Sequence, residues 1–236
     1  MPADYEACKD NLDKLADWVR EHPIDANRNE ATTRFQLIDR LLLECLGWFP
    51  EDCTCEDRLG GTFADYTLGV EHKALVVEAK KVGIYFELPS GFSRTKCKIS
   101  TLVELDKSIG DAIAQAAGYC KDRGIAFGAV CNGWQLIGFI GSRADGVAPM
   151  DGDAIVFGSL ESMRANFPVF WKCFSRPGAV GFGMYQEIQP KPMAPAPAKL
   201  SEGLLRYPGF KNRNANRNLG TFLEQLEGFV LVESCG

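Results

Sequence analysis

Residues 62–81 read TFADYTLGVEHKALVVEAKK, and the fold turns on how that stretch is laid out. In the second half, 74–81, an apolar run ends in charge. On an extended chain Val76, Glu78 and Lys80 fall on one face and Val77 and Ala79 on the other. A strand so apolar is expected to enter a core and to deliver Glu78 and Lys80 side by side at its end. The first half, 62–70, reads as a second strand, preceded by the turn residues Gly60 and Gly61 and by a further strand at 53–58. Three such strands make an antiparallel meander, which brings Asp65 beside Glu78.

Outward from this meander, the pattern predicts helices on both sides in sequence. Residues 3–21 place Tyr5, Leu12, Leu15, Trp18 and Val19 near helical spacing, and Pro23 stops the run. A second helix is expected from the N-cap Asn29 to Leu46, with Gly47 as its stop. Its apolar stripe is Ile38, Leu41, Leu42 and Cys45, and Glu30 lies two turns before Ile38 on the same stripe. Residues 84–98 follow no period and read as a mobile loop. A helix is predicted over 100–122, strands over 126–131 and 135–140 joined by the turn Asn132-Gly133, a strand over 154–157 and an aromatic-rich helix over 160–174. The fold class expected is therefore α/β, with residues 1–188 as one domain. The Pro/Ala-rich run 189–199 reads as a linker, and 200–236, with a helix candidate at 219–227, as a C-terminal docking or assembly segment.

Composition narrows the function classes. A chain of 236 residues with 46% hydrophobic and 24% charged residues can build one sizeable core and is not a disordered type. A formal charge of -5 excludes a uniformly basic nucleic-acid coat, so any such contact must be local. No apolar run is long enough for a membrane span, and the N-terminus lacks a secretory pattern, which together predict a cytoplasmic protein whose nine cysteines are reduced. Cys53 and Cys55 form a CxC pair, but no second pair follows and His22 and His72 are the only histidines, which disfavours structural zinc.

Asp65, Glu78 and Lys80 together are the equipment for hydrolysing a phosphodiester. Two carboxylates hold a hard divalent cation, which polarises the phosphate and lowers the pKa of a bound water. The lysine orients or deprotonates the attacking water and offsets developing charge. An ion-pair network at a sheet end accounts for Glu78 with Lys80, but gives no reason for Asp65 and Glu30 to converge on them.

With those residues in view, the sequence resembles the PD-(D/E)xK nuclease superfamily. Within it, the similarity is to the N-terminal nuclease domain of type I restriction-enzyme motor subunits and to related restriction and phage-defence endonucleases. The matching segments are NEATTRFQLIDRLLLECLGW (29–48), GGTFADYTLGV (60–70), ALVVEAKK (74–81), QAAGYC (115–120) and GIAFGAVCNGWQLIGF (124–139). The resemblance implies a restriction-endonuclease-like core, a mixed central sheet flanked by helices on both faces. It implies that Glu30 is the helical acid, Asp65 the motif aspartate, Glu78 and Lys80 the ExK pair, and Gln115 with Tyr119 the polar pair of the following helix. It further implies Mg²⁺, for which Mn²⁺ can substitute, on Asp65 and Glu78, and DNA as substrate. Residue Ala64 stands where the family has proline. The resemblance also suggests a homo-oligomer or a subunit of a larger defence complex, with activity gated by a partner. No GxxxxGK[ST] motor motif occurs in the chain. The competing reading is a catalytically silent nucleic-acid-binding or assembly module on the same fold.

Overall fold

The computed structural model describes residues 4–22, 29–80, 88–89, 91–93, 95–143 and 145–189. The 200–236 segment, the linker beyond Gln189 and residues 84–87, 90 and 94 of the loop expected at 84–98 lie outside the described residues.

Seven strands form one mixed sheet: β1 Cys53–Leu59, β2 Thr62–Gly69, β3 Lys73–Ala79, β4 Lys96–Lys98, β5 Phe127–Cys131, β6 Leu136–Ile140 and β7 Asp153–Phe157, in the order β1-β2-β3-β5-β6-β7-β4. The expected meander is present, since β1–β2 and β2–β3 are both antiparallel. β3 and β5 run parallel, with Glu78 level with Val130 and Ala79 level with Cys131. A parallel pair needs a long crossover. Here the crossover carries helices α3 Ile99–Leu105 and α4 Lys107–Arg123.

Where the chain departs from the sequence expectation, a local cause is visible. Lys96–Lys98, expected in a loop, is a short edge strand antiparallel to β7. The helix expected over 100–122 is two helices. Asp106 has extended backbone at φ -155°, ψ 120°, and its carboxylate accepts the Ser108 amide at 2.8 Å, so it ends α3 and caps α4. The helix expected over 160–174 also divides, into α5 Leu160–Ala165 and α6 Phe167–Phe174, because Pro168 has no N–H to continue the ladder. Two helices went unforeseen, α7 Arg176–Val180 and α8 Gly183–Ile188. Pro177 sits in the first turn of α7, where proline is tolerated.

The N-terminal helix, α1, spans Tyr5–Glu21 with Asp4 as its cap. The second begins as expected on the N-cap Asn29, whose side chain accepts the Thr32 amide at 2.8 Å. It runs as α2 Glu30–Thr33 and then through wider π-helical turns at Arg34–Ile38 and Leu41–Cys45. Gly47, at φ 68°, follows it in the left-handed region that glycine enters without strain.

Both faces of the sheet are covered, and the alternation of strand residues shows how. Leu75, Val77, Ala79, Phe127, Ala129 and Cys131 face a core shared with Leu12 and Leu15 of α1, Ile38 and Leu41 of the second helix and Phe170 and Phe174 of α6. Val130, Ile137, Phe139 and Val156 face the other way, against Ile109, Ile113 and Ala116 of α4. Every described cysteine is free. Among the described residues no helix is long and apolar enough to cross a membrane.

Candidate active site

The carboxyl end of β3 is where charge enters this apolar framework. Continuing the β2–β3 register one step past Tyr66↔Val77 sets Asp65 opposite Glu78. Glu78 is only 3% exposed, and its Oε1 accepts from Lys80 Nζ at 2.7 Å. The ammonium also donates to Gln115 Oε1 at 2.9 Å, which shows that Glu78 and Lys80 share the face that α4 covers. Gln115 in turn donates to the Tyr119 hydroxyl at 2.8 Å, one turn along α4. Asp65 is held differently, its Oδ2 accepting the Ala79 amide at 2.8 Å.

An irregularity in the sheet turns Asp65 towards β3. Pairing of β1 with β2 is interrupted between Cys55↔Tyr66 and Asp57↔Ala64, and Glu56, opposite Asp65, has φ 53°. That backbone region is uncommon for a residue with a side chain. Ala64 packs with Val76 and Cys120 on the α4 side, whereas Tyr66 belongs to the opposite core. Two residues so spaced on a regular strand would share a face, so the pleat inverts at Asp65.

The electrostatics follow from burial. Desolvation, with the Asp65 carboxyl close by, pushes Glu78 up to about 7, against the downward pull of Lys80. Its second oxygen, Oε2, is buried and has no hydrogen-bond partner. The group beside it is the Asp65 carboxyl, so the two acids either share a proton or accept a cation between them. No group of three or more His, Cys, Asp or Glu side chains converges for a metal among the described residues. The two carboxylates that this strand end offers to a cation are Asp65 and Glu78. That pair fits Mg²⁺, which keeps several waters and binds through one or two carboxylates plus phosphate oxygens.

Glu30 takes no part in these hydrogen bonds. It is half-buried in the first turn of α2, and no hydrogen bond links it to Asp65, Glu78 or Lys80 among the described residues. The side chain that reaches the site from this helix is Arg34, one turn on, with Nη1 2.7 Å from Glu56 Oε1 and 3.5 Å from Asp65 Oδ1. Hydrogen bonds with Tyr66 and Glu56 outweigh burial and hold the guanidinium firmly protonated. Sequence reading missed Arg34, Glu56 and Tyr66. The available signal was the four-residue spacing from Glu30 to Arg34, which puts both on one helix face.

Fold and site define an α/β protein with two carboxylates and an ammonium at the carboxyl end of a parallel strand. Comparison with protein-family models, with curated proteins and with solved structures finds no match to the chain.

Proposed function

We propose that the chain is a metal-dependent endonuclease of the PD-(D/E)xK type, with a restriction-endonuclease-like core, that hydrolyses phosphodiester bonds of DNA as a restriction or anti-phage effector. The observation that carries the reading is Glu78. It is buried opposite Asp65, bound through one oxygen by Lys80, and left with its other oxygen unpaired. The ion pair with Lys80 accounts for one oxygen of Glu78 and leaves the other, beside the Asp65 carboxyl, for a cation shared by the two carboxylates.

In this reading Asp65 and Glu78 hold Mg²⁺, or Mn²⁺ in its place. When bound, the ion supplies a Lewis acid for the phosphate and a water of lowered pKa. Lys80 is fixed between Glu78 Oε1 and Gln115 Oε1, so its ammonium is oriented before substrate arrives. It is placed to orient the attacking water and to stabilise negative charge developing on the phosphate oxygens. Gln115 keeps the ammonium in place through its own bond to Tyr119. The net charge of -5 leaves room only for a local DNA-contact surface, which this reading puts around the strand end.

Removing Lys80 should therefore cost rate more than affinity. Lys80→Ala is expected to slow cleavage on the order of 10²–10³-fold, while gel-shift affinity for the same DNA stays within a fewfold of wild type. An equal loss of both would make Lys80 a phosphate anchor and remove its catalytic role. Wild-type protein that binds DNA and leaves it intact in both metals would be the silent binding module.

A further inference from the structure

Arg34 belongs to no part of the nuclease chemistry, yet it reaches Asp65, Tyr66 and Glu56 together. Its Nη2 donates to the Asp65 carbonyl at 3.5 Å and its Nη1 lies 3.5 Å from the Asp65 carboxylate. Its Nε donates to the Tyr66 hydroxyl at 3.3 Å, and the guanidinium carbon lies 4.8 Å from the Tyr66 ring centroid. The Tyr66 hydroxyl donates onward to Asp39 Oδ1 at 2.7 Å, tying the strand back to the second helix. The shortest contact, 2.7 Å, is to Glu56, the residue with left-handed backbone opposite Asp65. One planar fork thus grips both strands where their pairing is interrupted.

We infer that Arg34, with Glu56 as its counter-charge, is a positioning residue. It holds the inverted pleat at Asp65, so that this carboxylate turns towards the Ala79 amide and Glu78. The inference rests on the nuclease reading for the purpose of the geometry, but the geometry itself exists without metal. Because the closest anion to Arg34 is Glu56 and not Asp65, the guanidinium positions Asp65 more than it competes with a cation for it. Lysine cannot replace it. A single ammonium cannot reach the Asp65 carbonyl, Glu56 and the Tyr66 hydroxyl together.

Two readouts on the full chain test this. In metal-free protein, Arg34→Lys should raise the hydrogen-exchange rate of the Ala79 amide, whose acceptor is Asp65 Oδ2, while amides of β5 and β6 keep their protection. In calorimetric titration with Mn²⁺ alone, the same variant should bind about tenfold more weakly, the usual scale for losing a residue that orients a metal ligand. Glu56→Gln, at a side chain 65% exposed and therefore safe for folding, should shift both readouts the same way by less, and it carries the test if Arg34→Lys fails to fold. Unchanged Ala79 exchange, or Mn²⁺ binding that is unchanged or tighter, overturns the positioning role. Wild-type protein that takes up no Mn²⁺ sinks the nuclease reading instead, and the Ala79 comparison still decides the role of Arg34.

Discussion

Burial and the Lys80 ammonium act on Glu78 in opposite directions, and burial prevails, leaving a carboxyl raised from 4.5 to about 7. Folding therefore favours its protonated form. The stability this contributes is complete below the unfolded value and is lost as pH rises through the folded one. In EDTA, wild type should lose stability relative to Glu78→Gln between about pH 5 and about pH 8, as read by urea denaturation at both ends. A gap that stays constant, or moves in favour of wild type with rising pH, would show that Lys80 fully offsets the burial. The pairing of Glu78 with Lys80 was legible in the sequence because strand alternation alone places residues two apart on one face. The approach of Arg34 was not. It depends on a π-helical turn and on a left-handed Glu56, neither of which has a sequence pattern to announce it.

Among the elements, the meander and the hairpin β5–β6 were legible because continuous apolar runs bounded by turn residues specify buried strands. The helix breaks were less so. Asp106 and Pro168 act through a cap and a missing donor that an apolar period cannot register. The hairpin closes on Asn132 and Gln135, the Asn132 amide donating to the Gln135 carbonyl at 3.2 Å, so its turn centres on Gly133 and Trp134 rather than on Asn132-Gly133, and Asn132 Oδ1 accepts the Trp134 and Gln135 amides at 3.3 and 2.8 Å. Close packing sets a further constraint on β6. A Cβ at Gly138 would run into the ring of Phe174 and the Met184 methyl. Phe174 is itself fixed by Phe157 and Phe170, at centroid distances of 6.1 and 6.0 Å, so it cannot step aside. Gly138→Ala should thus destabilise the protein by about 1–3 kcal/mol, seen as a lower urea midpoint with an unchanged slope. An unchanged midpoint would mean that α6 and α8 repack freely over this strand.

At the scale of the molecule, α1, the second helix and α5 to α8 close an apolar layer over one face of the sheet while α3 and α4 close the other. A chain ended after Pro190 should accordingly melt in one cooperative transition and keep its affinity for Mn²⁺. Loss of that transition would place the C-terminal residues within the core. The α/β class followed from the order of strands and helices, whereas the function assigned to it rests on one strand end. The most direct measurement of that assignment is incubation of supercoiled plasmid with Mg²⁺, with Mn²⁺ or with EDTA, beside a protein carrying both Glu78→Gln and Lys80→Ala. Wild type should give nicked and linear DNA in either metal, and the plasmid should stay intact in EDTA and with the double variant. Intact plasmid in both metals, or cutting that persists undiminished in EDTA, would contradict that assignment.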